Sequence, residues 1–216
     1  LRYFSLEMNR IGTRLVNTVV SSRGAVQSNA NARTVLFPEE TVVETPSFEF
    51  TRFISSSFSQ NIYSIFFEKT FSTQSLLIGA NDGLSLSCSY IVSRNWDRLS
   101  SIASNQLIHS LQSVRDGLSN PLLCSLSFSS NDVLYSFVYR SFFTGNKIFN
   151  VSKSGNLFIY YLIVSYVRKS ENVPHGLRPS LYLTNHRTDV SVANVGFCRA
   201  VNPLGKWKMT HLNISL

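Results

Sequence analysis

A chain of 216 residues and 24.3 kDa is the size of a single hydrophobic core, and 44% hydrophobic against 15% charged residues excludes global disorder. The longest apolar candidate, Leu157 to Val167, is eleven residues bracketed by Lys153 and Arg168-Lys169, which is strand length and too short to span a bilayer. The net charge of +8 is one-ended: residues 1–132 hold ten Lys and Arg against ten Asp and Glu, whereas 133–216 hold ten against two, which suggests a polyanionic partner such as nucleic acid.

Residues 1–34 carry Arg2, Arg10, Arg14, Arg23 and Arg33 against Glu7 alone, the pattern of a targeting segment or an RNA-threading arm. From Val35 to Glu49 the balance turns acidic around Pro38 and Pro46, so residues 1–49 read as arm and linker. Strands are expected over 62–71, 75–78 and 84–90, with a glycine turn at Gly79-Ala80-Asn81-Asp82-Gly83. Leu99, Ala103, Leu107, Leu111, Val114 and Leu118 recur at helical steps, which predicts one long helix with Asp97 or Ser100 as its cap and Gly117 and Pro121 at its end. A fourth strand is expected over 122–128, then a second helix capped by Asn131-Asp132 and carrying Leu134, Phe137, Val138 and Phe142. Leu157 to Val167 is the last expected strand.

The predicted fold is α/β, a layered mixed sheet of about five strands and two helices in the order β-β-β-α-β-α-β, with a basic C-terminal loop and tail. Residues 50–180 form the domain and 181–216 a C-terminal extension. Leu107, Leu111, Val114, Leu126, Phe137, Ile159, Leu162 and Val164 are the expected core.

Chemistry-bearing motifs are sparse. There is no GxxxxGK[ST], GxGxxG, HExxH or GxSxG, and His109, His175, His186 and His211 lie singly, so the chain reads as a non-enzyme without metal or cofactor. Cys88, Cys124 and Cys198, an odd number at wide spacing, read as buried thiols. The segment after the last strand is more telling. Pro174 and Pro179 brace a loop from which His175, Arg178 and Arg187 can offer donors and cations to phosphate or bases.

The expected element order, the turn at 80–83, the helix end Val114-Arg115-Asp116-Gly117 and the loop Val173-Pro174-His175-Gly176-Leu177-Arg178-Pro179 together resemble the small-subunit ribosomal protein S11 family, over about residues 60–180. That family closes its last strand with P-H-N-G-x-R-P. Here the Asn is missing, the glycine-rich turn before the second helix reads Phe128-Ser129-Ser130-Asn131-Asp132, and the basic terminus is replaced. With the N-terminal arm, an insertion at 145–156 and fourteen Arg to six Lys, these departures suggest a divergent organellar, mitochondrial member. The resemblance implies a structural ribosomal protein binding small-subunit rRNA on the platform near the mRNA exit, beside neighbouring small-subunit proteins and without membrane or small-molecule partners. The rRNA-contacting candidates are Lys147, Lys153, Arg168, Lys169, Asn172, His175, Arg178, Asn185 and Arg187, with Arg94, Arg98 and Arg140 in a second line. The alternatives are a small jelly-roll capsid protein and an accessory subunit of an organellar membrane complex.

Overall fold

A computed structural model describes residues 35, 36, 43, 49–145 and 157–216. Among these residues the order is α1 (Phe50–Phe66), α2 (Thr73–Val92), α3 (Trp96–Ile102), α4 (Asn105–Arg115), α5 (Asn120–Ser125), a 3-10 turn (Ser130–Asp132), β1 (Val133–Thr144), β2 (Phe158–Arg168), α6 (Pro179–Asn185), β3 (Val190–Ala200) and β4 (Lys208–Ser215). The α/β class is as expected, but the sheet is wholly antiparallel, four-stranded and ordered β1-β2-β3-β4.

The first half is helical where strands were expected. Ala80, Leu84, Ser87, Cys88 and Ile91 are buried at helical spacing along α2, and the supposed glycine turn lies inside that helix. Gly83 sits there beneath the Phe197 ring, which a Cβ would meet at 3.4 Å in ordinary van der Waals contact. Residues 62–66 close α1, and the expected strand over 122–128 is largely α5, with Pro121 in its first turn.

The long helix is broken in two. Asn95, rather than Asp97 or Ser100, caps α3 by accepting from the Arg98 N–H. At the break Ala103 bridges to Met209, the Ser104 N–H donates to the Met209 carbonyl at 2.8 Å, and the Ser104 hydroxyl caps α4. Strand β4 captures the backbone that a continuous helix would have satisfied internally. The expected second helix is β1; the register shift between Val138 and Arg140 breaks its period-two alternation and left a pattern that mimics a helix.

Only β2 stands as expected. The predicted extension contributes β3 and β4, half of the sheet. One face of the sheet, with Ile163, Val167, Val195, Phe197, Met209 and Ile214, packs against Leu84, Ile91, Leu99, Leu107 and Leu111 of the helices. The other face carries a smaller cluster in which Val164, Tyr166 and Val192 meet Val173 and Tyr182. On that same side the buried Asn194 amide accepts from the Val43 N–H at 3.1 Å and donates to its carbonyl at 3.3 Å. Of the expected core, Leu107, Leu111, Leu126, Ile159 and Val164 are buried, whereas Val114, Phe137 and Leu162 are half-buried.

Both sheet edges are covered. The Ser141 N–H on β1 donates to the Ser56 hydroxyl of α1, and the Leu36 N–H donates to the Ile214 carbonyl of β4 at 2.9 Å. Each contact removes an unpaired ladder group from an exposed edge. Among the described residues, one sheet of four strands with helices against it is not the two-sheet arrangement of a jelly roll.

Candidate nucleic-acid interface

The expected interface falls on the connection between β2 and β3. Strand β2 ends at Arg168, whose guanidinium bonds the Asp132 carboxylate at 3.0 Å. Asp132 also accepts from the Ser129 N–H at 2.9 Å, closing a capping box on the 3-10 turn. The Ser129 N–H first, and Arg168 second, hold the Asp132 carboxyl below the usual carboxylate range. Arg168 is therefore engaged in tying the end of β2 to the turn that leads into β1.

Beyond Arg168 the chain is pinned at alternate points. The Lys169 N–H donates to the Asp189 carbonyl at 2.8 Å and closes the base of the connection. Val173 is 1% exposed, Tyr182 is fully buried and stacks on Tyr166, and the Tyr182 hydroxyl accepts from the Leu177 N–H at 3.1 Å. Gly176 lies between them at φ +83°, where a side chain would strain the turn. Arg178 is the N-cap residue of α6 and Pro179 its first helical residue.

With Val173, Leu177 and Tyr182 turned inward, Lys169, Asn172, His175, Arg178, Asn185 and Arg187 are all exposed. The Arg178 guanidinium makes no ion pair among the described residues. The connection gathers these six candidates on one segment. Lys147 and Lys153 lie outside the described residues. Of the second-line candidates, Arg94 pairs with Asp116 at 2.9 Å, Arg98 is exposed, and Arg140 rests 5.4 Å from the Phe142 ring centroid.

Other cations of the basic third serve the fold. Lys208 donates to the Ser100 and Ser101 carbonyls at the end of α3. Arg199 donates to the Gly205 carbonyl, to the Tyr63 hydroxyl at 3.1 Å and to Glu68 at 2.9 Å, while the Tyr63 hydroxyl donates to Glu68 at 2.7 Å. Burial first, and the bond to Glu68 second, push the Tyr63 phenol above its ordinary range. A charge count cannot separate such pinned cations from presented ones.

A groove of about 260 Å³ beside this network is lined by Glu68, Phe71, Leu76, Phe197 and Trp207, and one of about 290 Å³ lies between α1 and β1. Among the described residues no three His, Cys, Asp or Glu side chains gather as a metal site, and no helix is long and apolar enough to cross a membrane. Cys88 and Cys198 are buried thiols that burial pushes up to about 12, but Cys124 is exposed, contrary to the sequence reading. No family model matches the chain, and no curated protein matches it.

Proposed function

We propose that the chain is a non-catalytic RNA-binding protein whose contact surface is the β2–β3 connection, residues 169–187. The observation that carries this reading is the division of that segment: apolar anchors inward, and Lys169, His175, Arg178 and Arg187 outward with Asn172 and Asn185 among them. Anchoring lowers the ordering cost of binding, and a planar guanidinium presented beside an imidazole suits phosphate forks and stacking on unpaired bases.

Following the sequence resemblance, the RNA is small-subunit rRNA of a mitochondrial ribosome, with neighbouring ribosomal proteins as further partners. This finer part rests on the Pro-His-Gly-Leu-Arg-Pro loop, because the helices over 50–92 replace the strands that the family order requires.

The test is RNA binding by the full chain across a salt series, using a small-subunit platform fragment and a length-matched duplex. Affinity should fall steeply with salt as condensed counterions are released. Arg178→Ala should lose on the order of 1–3 kcal/mol, and Arg178→Lys should lose less but remain measurable. Salt-independent affinity, or changes below about half a kilocalorie for both variants, would overturn the reading. Equal affinity for fragment and duplex would leave RNA binding standing and remove the ribosomal assignment.

A further inference from the structure

Helix α1 is inside out. Its inward side is polar: Ser56 and Ser59 are buried and bonded to Ser141, and Tyr63 lies at the Arg199–Glu68 network. Arg52, 13% exposed, stacks on Tyr139 and pairs with Glu49. The outward side carries Phe50, Ile54, Phe58 and Ile65, with Phe53 on its flank, each between 48% and 66% exposed; Phe66, 75% exposed, stands at the C-terminal end of the helix away from this side. Five large apolar side chains along one 17-residue helix form a patch of the kind that soluble monomers rarely leave uncovered.

We propose that α1 is a homodimerisation helix, two copies of the chain packing these outward faces together about a two-fold axis. Phe50, Ile54 and Phe58 form a ridge at steps of four, and Ser57 and Asn61 leave a shallow groove beside it that can receive the same ridge of a partner. The area is that of a small interface. Taking roughly 200 Å² for each of these five side chains, the exposed fractions amount to about 570 Å² per copy and about 1,150 Å² in all, the low end of the size class of a specific interface.

Charge is compatible with this occupant. From Phe50 to Phe66 the only charged residue is Arg52, which is turned inward, so two chains of net charge +8 meet here without opposing like charges. A lipid surface fits less well, because an interfacial helix offers Lys and Arg on its polar face to headgroups, whereas the polar face of α1 is held against β1. This inference is independent of the RNA-binding reading.

Sedimentation equilibrium of the full chain tests it. The wild type should run at twice the 24.3 kDa chain mass. Raising salt should preserve or tighten the association, since it screens repulsion between two basic chains. Phe53→Ser combined with Phe58→Ser should return the chain to monomer mass; both side chains are exposed, and an unchanged circular-dichroism spectrum would show that the fold is kept. As a second measure, Ser57→Cys in a Cys124→Ser background should give a disulfide-linked dimer under mild oxidation, and Ser89→Cys on α2 should not. A monomeric wild type at about 50 µM, the concentration scale of even a weak specific dimer, overturns the proposal and assigns the stripe to lipid or to another protein. A dimer indifferent to the Phe53 and Phe58 changes, or equal cross-linking at both cysteines, overturns it as well.

Discussion

Leu84 and Leu86 stand two positions apart in a segment whose sequence suggested a strand. In a strand they would share a face and lose comparable stability on truncation; in α2 they point roughly 200° apart. Leu84 is fully buried among the helices and the sheet, whereas Leu86 is 47% exposed. Leu84→Ala should therefore cost about 2–5 kcal/mol through lost transfer energy and a residual cavity. For a chain of this length that corresponds to a fall in Tm of roughly 4–20 °C. Leu86→Ala removes only half-buried methyl groups and improves local helix propensity, so it should cost under about 1 kcal/mol. Guanidinium unfolding followed by far-ultraviolet circular dichroism and by Trp96 and Trp207 fluorescence gives both numbers. Equal costs within about half a kilocalorie would show that residues 84–90 do not form the helix described, and the packing derived from it would fall too.

Three further outcomes follow from the same contacts. Because Asp132 titrates lower in the folded chain than in the unfolded one, its contribution is present above the unfolded value near 4 and is lost as pH falls through the folded pKa. The stability gap between wild type and Asp132→Asn should thus be full at pH 7 and shrink toward pH 3; a gap constant over that range, measured by urea unfolding, would contradict the assignment. A thiol reagent at pH 8 should label one cysteine per native chain, Cys124, and three after denaturation, and rapid native labelling of two or more would contradict the burial of Cys88 and Cys198. Gly196→Ala should unfold or severely destabilise the chain, since a Cβ there would lie 2.7 Å from the His211 Cβ and collide with the Tyr160 phenol; thermal denaturation within 2 °C of wild type would refute that crowding.

What could be read in the sequence depended on whether local pattern and tertiary role agreed. Residues 158–167 are apolar on both sides but for Ser165, because both faces of β2 are covered, and a nearly continuous apolar run is what such a strand requires. In α2 the buried stripe has helical spacing, yet Gly79 and Gly83 speak for a turn, although a Cβ at either position would meet open space or ordinary contact. In α1 the pattern is inverted, with serine inward and phenylalanine outward, so amphipathicity misleads about which side faces the sheet. The candidate loop was legible because prolines, a glycine and cations fall together at 173–179. The engagement of Arg168, Arg199 and Lys208 was not, because, the Gly205 carbonyl apart, their carboxylate and carbonyl partners lie between 36 and 131 positions away.

The break between α3 and α4 is held by a strand more than a hundred positions downstream: the Ser104 N–H reaches Met209, and Lys208 reaches Ser100 and Ser101. Helices α2 to α4 thus emerge from the translating ribosome well before β2, β3 and β4, which supply the sheet against which their apolar stripes pack. At roughly 5–20 residues per second, that interval lasts on the order of 5–25 seconds. Contacts so distant along the chain also slow the final ordering step, because loop closure comes before any of them forms. During synthesis the nascent helical half therefore exposes its apolar stripes, and a pause placed between β1 and β4 would lengthen its exposure to aggregation.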